Sequence, residues 1–385
     1  MNPDLRRRGP AFVLVALSLG LALAAARPVH SLPAYAARTG LDCRSCHFDP
    51  NGGGPRNAFG FLFEKQRHDL APDPDPRWAE LAATNQLGDV LYVGTNTRLL
   101  YVGMGTWDLV QASSFFQMQG ALDVTLQPHP NLAIVMVRDF GEFSGDVTRD
   151  LYGLIQDGGG QYYVKAGRIR GVFGLRQDDH TAGTRGGFLN AVSGGTGGLL
   201  PYDPRGVSSG LEAGVSRAGY ALSASLTNGG PAFANRVQTV GAKLTAPVPF
   251  GRVGFSVYDD FSTSSGQRHS RWSGFGLARM PGVPDLTLQG EVGFGTDDLG
   301  NGEKRNLVAT YAQADYRVSR AFTLRGRYDF SDVFRSVPGN ASERFAAEGE
   351  WTLVPFADLR LGYREIVPET SGNEHQWLAM VHLYY

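Results

Sequence analysis

From residue 88 to the C-terminus, the sequence alternates between apolar and polar side chains with a period of two, as a β-strand with two different faces does. The run AFTLRGRYDF shows this most clearly, because its charged side chains all fall on one face. A chain with this pattern builds sheets rather than helices. One face carries Phe322, Leu324, Tyr328 and Phe330, and the other carries Thr323, Arg325, Arg327 and Asp329.

The runs DLTLQGEVGF and ERFAAEGEWTL repeat the alternation, so charged residues occupy one whole face of strand after strand. Two architectures tolerate this. A soluble β-sandwich buries the apolar face and keeps the polar face wet. An outer-membrane barrel turns its apolar face to lipid and its polar face to a watery lumen. The lengths of the connections distinguish the two.

Connections after even-numbered strands are short, such as PVPF and PGVP, whereas those after odd-numbered strands are longer, such as TDDLGNGEKR. Bacterial outer-membrane barrels have this asymmetry, with short periplasmic turns and an even strand number. We therefore expect an all-β fold: a 16-stranded antiparallel transmembrane β-barrel over residues 85–385. The predicted strands are 89–100, 114–126, 131–141, 147–157, 160–170, 206–217, 219–228, 236–247, 251–262, 270–280, 285–296, 306–318, 321–331, 343–354, 357–367 and 375–385.

Both ends of the chain agree with export to an outer membrane. Residues 1–26 combine an arginine-rich start, an apolar run and small residues at the end, which predicts a cleaved signal peptide rather than a membrane anchor. The last strand, HQWLAMVHLYY, places Trp377, Val381 and Leu383 on one side and closes on the aromatic Tyr385, as barrels of this class do.

The only two cysteines of the chain lie in DCRSCHFDPNGGG, where C-x-x-C is followed directly by histidine. In an exported protein this motif predicts covalent attachment of one c-type haem. Cys43 and Cys46 are one helical turn apart, so both sulfurs reach vinyl groups of one porphyrin, and His47 becomes the proximal iron ligand. A disulfide, a thioredoxin-like redox pair and a zinc site are the alternatives, and none of them explains the adjacent histidine.

Residues 27–80 form the predicted haem segment, mainly helix and loop, which ends at the proline-rich stretch APDPDPRW. We expect Phe59 and Phe63 to pack on the haem and His68 to be a candidate distal ligand. Met104 or Met118 from the following strands, or an open iron site, are alternatives for the sixth position. So short a segment scarcely builds its own core, so we expect it to plug the barrel.

One long connection carries a cluster of polar side chains. The long connection 171–205 contains Asp178, Asp179 and His180, which could bind a cation or line a constriction, although an exposed polar loop is the simpler interpretation. The net formal charge of −1 gives no reason to expect a nucleic-acid partner. No nucleotide-binding loop or nucleophile elbow is found in the sequence, so a conventional enzyme is not expected.

The order of segments resembles that of the fused monohaem cytochrome c–porin proteins in the outer membrane of iron-oxidising bacteria. It runs from a signal peptide through one C-x-x-C-H, in ARTGLDCRSCHFDPNGGG, and a short haem segment to a barrel. The resemblance implies electron transfer across the outer membrane, in some members starting from ferrous iron. It also implies contact with outer-membrane lipid, an extracellular donor or acceptor such as iron, and a periplasmic electron carrier of the cytochrome c type. The haem segment then lies in the lumen or on the periplasmic side. The competing prediction is a diffusion porin whose haem segment is only a periplasmic tether or sensor.

Overall fold

The computed structural model describes residues 34–385, with gaps at 79, 82–83, 107–108, 141–146, 176–206, 229–238, 262–266 and 333. The predicted signal peptide and residues 27–33 of the haem segment lie outside the described residues, and so do Asp178, Asp179 and His180. None of the helices in the described ranges is long and apolar enough to cross a membrane.

Sixteen strands form one antiparallel sheet in chain order, and the last strand pairs with the first, so the sheet closes into a barrel. The predicted barrel and strand number are thus confirmed. The strands are β1 Leu91–Thr106, β2 Leu109–His129, β3 Leu132–Asp139, β4 Val147–Gln156, β5 Tyr162–Ile169, β6 Ser208–Arg217, β7 Tyr220–Thr227, β8 Thr239–Val248, β9 Gly251–Phe261, β10 Arg268–Arg279, β11 Leu286–Asp298, β12 Lys304–Ser319, β13 Phe322–Asp332, β14 Ala341–Val354, β15 Ala357–Pro368 and β16 Glu374–Tyr384.

The first hairpin differs from the prediction, which placed a long loop between residues 100 and 114. In the structure β1 runs on to Thr106 and β2 starts at Leu109, so the connection is only 107–108. The continued pairing carries its own side-chain contacts, since the rings of Tyr101 and Phe115 lie 4.7 Å apart across the hairpin. The ladder contains two register shifts, and one of them, between Met104 and Gly105, lies in the part that was predicted as a loop.

The barrel has its polar face inside and its apolar face outside. On β13 and β14, Asp329 and Arg344 are fully buried, whereas Leu324 and Phe345 are 47% and 48% exposed. Arg344 donates to Asp329 at 2.7 Å across the two strands. A soluble sandwich has the reverse arrangement, so this exterior fits lipid and defines a transmembrane barrel of the outer-membrane type.

The first part of residues 34–78 packs against inward-facing side chains of the barrel, through Ala37, Phe48 and Asp49 among others, whereas residues 70–78 are mostly exposed; we call residues 34–78 the plug. The plug contains three helices, α1 Ala34–Thr39, α2 Cys43–Cys46 and α3 Ala58–Lys65, followed by a single 3-10 turn, Pro76–Trp78. A two-residue strand, Gln86–Leu87, then pairs with the start of β1. The α3 helix begins at Asn57, whose side chain accepts from the N–H of Gly60 at 2.9 Å and so caps the first turn.

The plug contacts the short turns that follow even-numbered strands. Arg44 donates to the carbonyl of Gly160 in the turn between β4 and β5. Arg320, in the turn between β12 and β13, donates to the carbonyl of Pro72 at 2.8 Å. Phe61 packs against Phe356 of the turn between β14 and β15, with ring centroids 5.0 Å apart. Because short turns are periplasmic in such barrels, the plug occupies the periplasmic end of the lumen.

The chain that follows β5 also folds inward. The N–H of Val172 donates to the Ser225 hydroxyl at 3.1 Å, and the N–H of Gly174 donates to the Ser256 hydroxyl at 2.8 Å. Leu175, which is fully buried, packs in an apolar cluster with Ala37 of the plug. The described part of the lumen is therefore filled from two directions.

Candidate functional site

The C-x-x-C-H motif forms one compact unit. Cys43 and Cys46 begin and end α2, and the N–H of His47 donates to the carbonyl of Cys43 at 3.0 Å. The two sulfurs are not joined in a disulfide. Burial raises the pKa of the Cys46 thiol to about 11, so this thiol is protonated at neutral pH. The spacing that the motif predicted, one helical turn between the sulfurs, is the spacing that the structure has.

The imidazole of His47 is oriented by the backbone of the glycine loop. Its Nδ1 lies 3.2 Å from the carbonyl oxygen of Gly54. A carbonyl only accepts, so this contact selects the tautomer with the proton on Nδ1 and the lone pair on Nε2. Metal-ligating histidines are held in this way by a carbonyl or carboxylate behind the ring.

Two glycines let backbone segments approach the cysteines closely. Gly52 has a φ of +83°, and a Cβ built there would lie 3.1 Å from the Cβ and 3.2 Å from the Sγ of Cys43. On the other side, a Cβ at Gly60 would lie 2.1 Å from the carbonyl oxygen of Cys46. The glycine loop, residues 52–54, and α3 therefore pack closely on either side of α2. A larger residue at Gly52 or Gly60 would displace α2.

A cavity of about 340 Å³ lies between the plug and the inner wall of the barrel. This volume falls in the range of roughly 300–1,000 Å³ of small-molecule and cofactor sites. The plug contributes both cysteines, His47, Phe63 and His68 to its lining. The wall contributes apolar residues together with charged ones. Among the wall residues are Arg98, Leu100, Met118, Glu348, Glu350, Arg360, Leu378 and Met380.

His68 lines this cavity and is only 8% exposed. Its ring stacks on Tyr35 with centroids 4.4 Å apart and lies 5.6 Å from the ring of Tyr384. Within the described ranges no protein group forms a hydrogen bond with this imidazole, which borders the cavity. Burial lowers the pKa of His68 to about 4, so the ring is neutral at neutral pH. A buried neutral imidazole aimed into a cavity is suited to binding a metal.

The other predicted site residues separate into two groups. Phe63 is 6% exposed and lines the cavity, and Met118 lines it from β2. Phe59 is 42% exposed and is not part of the cavity lining, because α3 turns Phe61 towards the barrel wall instead. Met104 does not line the cavity, although it packs beside residues that do.

A buried polar network attaches the motif's glycine loop to the wall. Lys165 on β5 lies 3.2 Å from the carboxylate of Asp49 and 2.9 Å from that of Glu212. Asn51 donates to Glu212 at 2.6 Å, and the hydroxyl of Tyr163 donates to the same carboxylate at 2.7 Å. All of these groups are largely shielded from water, so each depends on its partners to stay buried.

Apart from Met118, sequence reasoning missed the wall residues of the cavity. Leu100 on β1 and Leu378 on β16 face the lumen, where this chain otherwise places polar residues. A departure from the alternating pattern at these strands was the available signal. It could not be used alone, because which face of a strand is inward becomes clear only once the register of the barrel is known.

Fold and site together define a porin-like barrel whose lumen holds a segment with a C-x-x-C-H motif. Neither a comparison with protein-family models nor a search of curated proteins gives a match. Solved structures do match. The chain is similar to the anion-selective porin from Comamonas acidovorans, at 9% identity and a TM-score of 0.56, covering 77% of this chain and 100% of that one.

Two further structures have the same architecture. Outer-membrane expressed OmpT of Vibrio cholerae matches at 11% identity and a TM-score of 0.55, covering 78% of this chain and 99% of that one. The outer membrane channel DcaP of Acinetobacter baumannii matches at 11% identity and a TM-score of 0.53, covering 77% and 97%. At these identities the likeness establishes the porin fold alone.

Proposed function

We propose that this protein transfers electrons across the outer membrane through one c-type haem held in the barrel lumen. Cys43 and Cys46 carry the haem and His47 is its proximal iron ligand. The observation that carries the proposal is the position of the motif: both cysteines and the pre-oriented His47 line a single cavity between the plug and the wall. The resemblance to the fused cytochrome–porin proteins, on the motif and the order of segments, supports the same function.

The residues present fit a haem. Cys43 and Cys46 would hold the haem by addition of each thiol across one vinyl group, forming a carbon–sulfur bond while the thiol proton goes to the neighbouring vinyl carbon, so that no group leaves. His68 is the proposed sixth ligand, because it lines the same cavity and is buried without a hydrogen bond among the described residues. When bound, the haem supplies a one-electron Fe(III)/Fe(II) couple.

The barrel sets how electrons reach and leave this site. The hydrocarbon region is about 30 Å thick, and tunnelling falls steeply with distance, so one haem at the periplasmic surface cannot serve a donor outside. We therefore propose that a small donor such as Fe(II) enters the lumen from the outer mouth. A periplasmic carrier, a c-type cytochrome by the same resemblance, docks at the mouth that carries the short turns.

Haem staining of purified outer membranes, followed by a redox titration with and without Fe(II), tests the proposal. We expect covalent haem in the membrane fraction and its reduction by Fe(II). The variant Cys46→Ala should lose the covalent haem but keep a heat-modifiable barrel, since the wall does not depend on α2. A membrane-assembled wild-type protein without covalent haem would refute the proposal.

A diffusion porin is the second candidate function, and the likeness to the anion-selective porin favours it. Ion conductance in planar bilayers separates the two. A plugged conduit should conduct little even when fully assembled, because the plug and the inward segment 170–175 fill the described lumen. Porin-like conductance of the full-length, haem-loaded protein would favour the second function.

A further inference from the structure

One patch of the inner wall is apolar where a membrane barrel is normally polar. Its buried residues are Leu100 and Val102 on β1, Met118 on β2, and Leu378 and Met380 on β16, and Met104 and Phe116 pack against them. We call these seven residues the methionine wall. The chain has only six methionines, and three of them are here. Cross-strand neighbours, such as Leu100 beside Met380 and Val102 beside Leu378, make the patch continuous.

Two other apolar clusters of the wall each hold a residue of the plug. Phe48, directly after the proximal histidine, packs with Val135, Tyr152 and Leu154. Ala37 packs with residues of β10 and β12, and Cys43 contacts that cluster. In both places the apolar wall has an evident purpose, because it seats an apolar side chain of the plug.

The methionine wall contains no plug residue. Four of its members, Leu100, Met118, Leu378 and Met380, line the cavity that the two cysteines and His47 also line. A small fourth cluster, Leu307 with Ala309, lies outside that lining. Among the described residues, the methionine wall is thus an apolar patch that faces the motif and has no side chain of the plug in its cluster.

We propose that the four members of the methionine wall that line the cavity, Leu100, Met118, Leu378 and Met380, are the barrel's half of the haem site, packing against an apolar face of the porphyrin and keeping water from the iron. This inference rests on the proposed function, since it requires the haem. Methionine suits the role because its unbranched, polarizable side chain adapts to a flat ring. A dry, apolar surround disfavours the oxidised iron, which carries the extra positive charge, and so raises the reduction potential. The plug alone would then hold the haem with a lower potential than the assembled barrel does.

The test is a redox titration of the full-length protein carrying Met118→Gln or Met380→Gln, with Met104→Gln as the matched control. All three residues belong to the methionine wall, but only Met118 and Met380 line the cavity. The inserted amide should stabilise the oxidised iron. At a fixed solution potential, we expect the ratio of reduced to oxidised haem to fall about tenfold in these two variants. For a one-electron couple this corresponds to a reduction potential lower by about 59 mV. Met104→Gln should leave the ratio unchanged.

Covalent haem per barrel should be equal in all the variants, since attachment depends on the plug. Equal haem content with an unchanged potential in both cavity variants would overturn the inference while leaving the proposed function intact. Absence of covalent haem from the wild type would instead refute the proposed function. If a glutamine variant does not assemble, Leu378→Thr, a smaller polar replacement at the same wall, carries the same expectation.

Discussion

Single residues decide how the motif is held. Gly52 has a φ of +83° and faces Cys43 at a distance where a Cβ would lie 3.2 Å from the sulfur. Gly54 supplies the carbonyl behind His47. Two of the three glycines that follow Asn51, Gly52 and Gly54, therefore do more than form a flexible turn, because each contacts a residue of the motif.

Gly52→Ala should reduce covalent haem content several-fold while the barrel still assembles. The added Cβ crowds Cys43, and the left-handed backbone costs about 1–2 kcal/mol with any L side chain. Gly88→Ala is the matched control: Gly88 also has a positive φ, of +63°, but nothing lies within 4 Å of a Cβ there. Haem absorbance per barrel measures the difference. Equal losses in the two variants would mean that backbone strain, not crowding at the cysteine, is responsible.

His68→Leu should convert the haem to a high-spin spectrum and lower its resistance to exogenous ligands, because the proposed sixth ligand is gone. Met118→Leu is the control: Met118 lines the same cavity, and leucine keeps the position apolar, so the spectrum should be unchanged. Visible absorption of the oxidised and reduced protein is the measurement. If the methionine variant changed and the histidine variant did not, the sixth ligand would come from the barrel.

The raised pKa of Glu64 predicts how docking of the plug in the barrel depends on pH. Burial, with Asp358 and Asp123 adding repulsion, raises its pKa to about 8 from the ordinary 4.5, although Arg56 opposes the shift. A raised pKa means that the folded state binds the proton more tightly. The stability from this group is therefore complete below about pH 4.5 and is lost as the pH rises through 8.

Protease protection of the plug should accordingly fall between about pH 4.5 and about pH 8 in the wild type and level off above that. Glu64→Gln should flatten this dependence, because the amide is neutral throughout. Glu80→Gln changes an exposed carboxyl and should leave the wild-type profile intact. A Glu64→Gln profile that keeps the loss over this pH range would assign it to another group.

At the scale of elements, the strands were predictable because lipid requires apolar side chains on one face of each strand and the watery lumen favours polar ones on the other. The two requirements together produce the period of two. Strand β13, predicted at 321–331, is Phe322–Asp332 in the structure. The first hairpin was predicted too short, because β1 runs on to Thr106 and β2 starts at Leu109. The motif residues were predictable because their spacing is local. Met380 was not, because it joins the site only when β16 pairs with β1.

The attachment of the plug to β5 is an element-scale interaction with its own prediction. Lys165→Met leaves Asp49 and Glu212 buried without their cation, which costs roughly 3–5 kcal/mol when a buried pair is broken. We expect the plug to be released more readily and conductance in planar bilayers to rise. Lys304→Met breaks an exposed pair with Asp298, 3.6 Å apart, and should change neither. An unchanged conductance in Lys165→Met would show that other contacts hold the plug.

At the scale of the whole molecule, the barrel spans the membrane and, in the proposed function, also forms part of the cofactor site. The plug reaches the wall through Phe48, Phe61 and the Lys165 network, while the methionine wall faces the motif across the cavity. In the proposed function, neither part alone would surround the haem. Closing the sheet between β16 and β1 would then complete the transmembrane surface and the proposed redox site together.

Electron transfer across a sealed membrane tests this account most directly. The full-length protein is placed in liposomes that enclose an impermeant electron acceptor, and Fe(II) is added outside. The account predicts reduction of the enclosed acceptor by the haem-loaded protein and none by Cys46→Ala, with the acceptor retained in both. Equal reduction with both proteins, or none with the haem-loaded one, would contradict it.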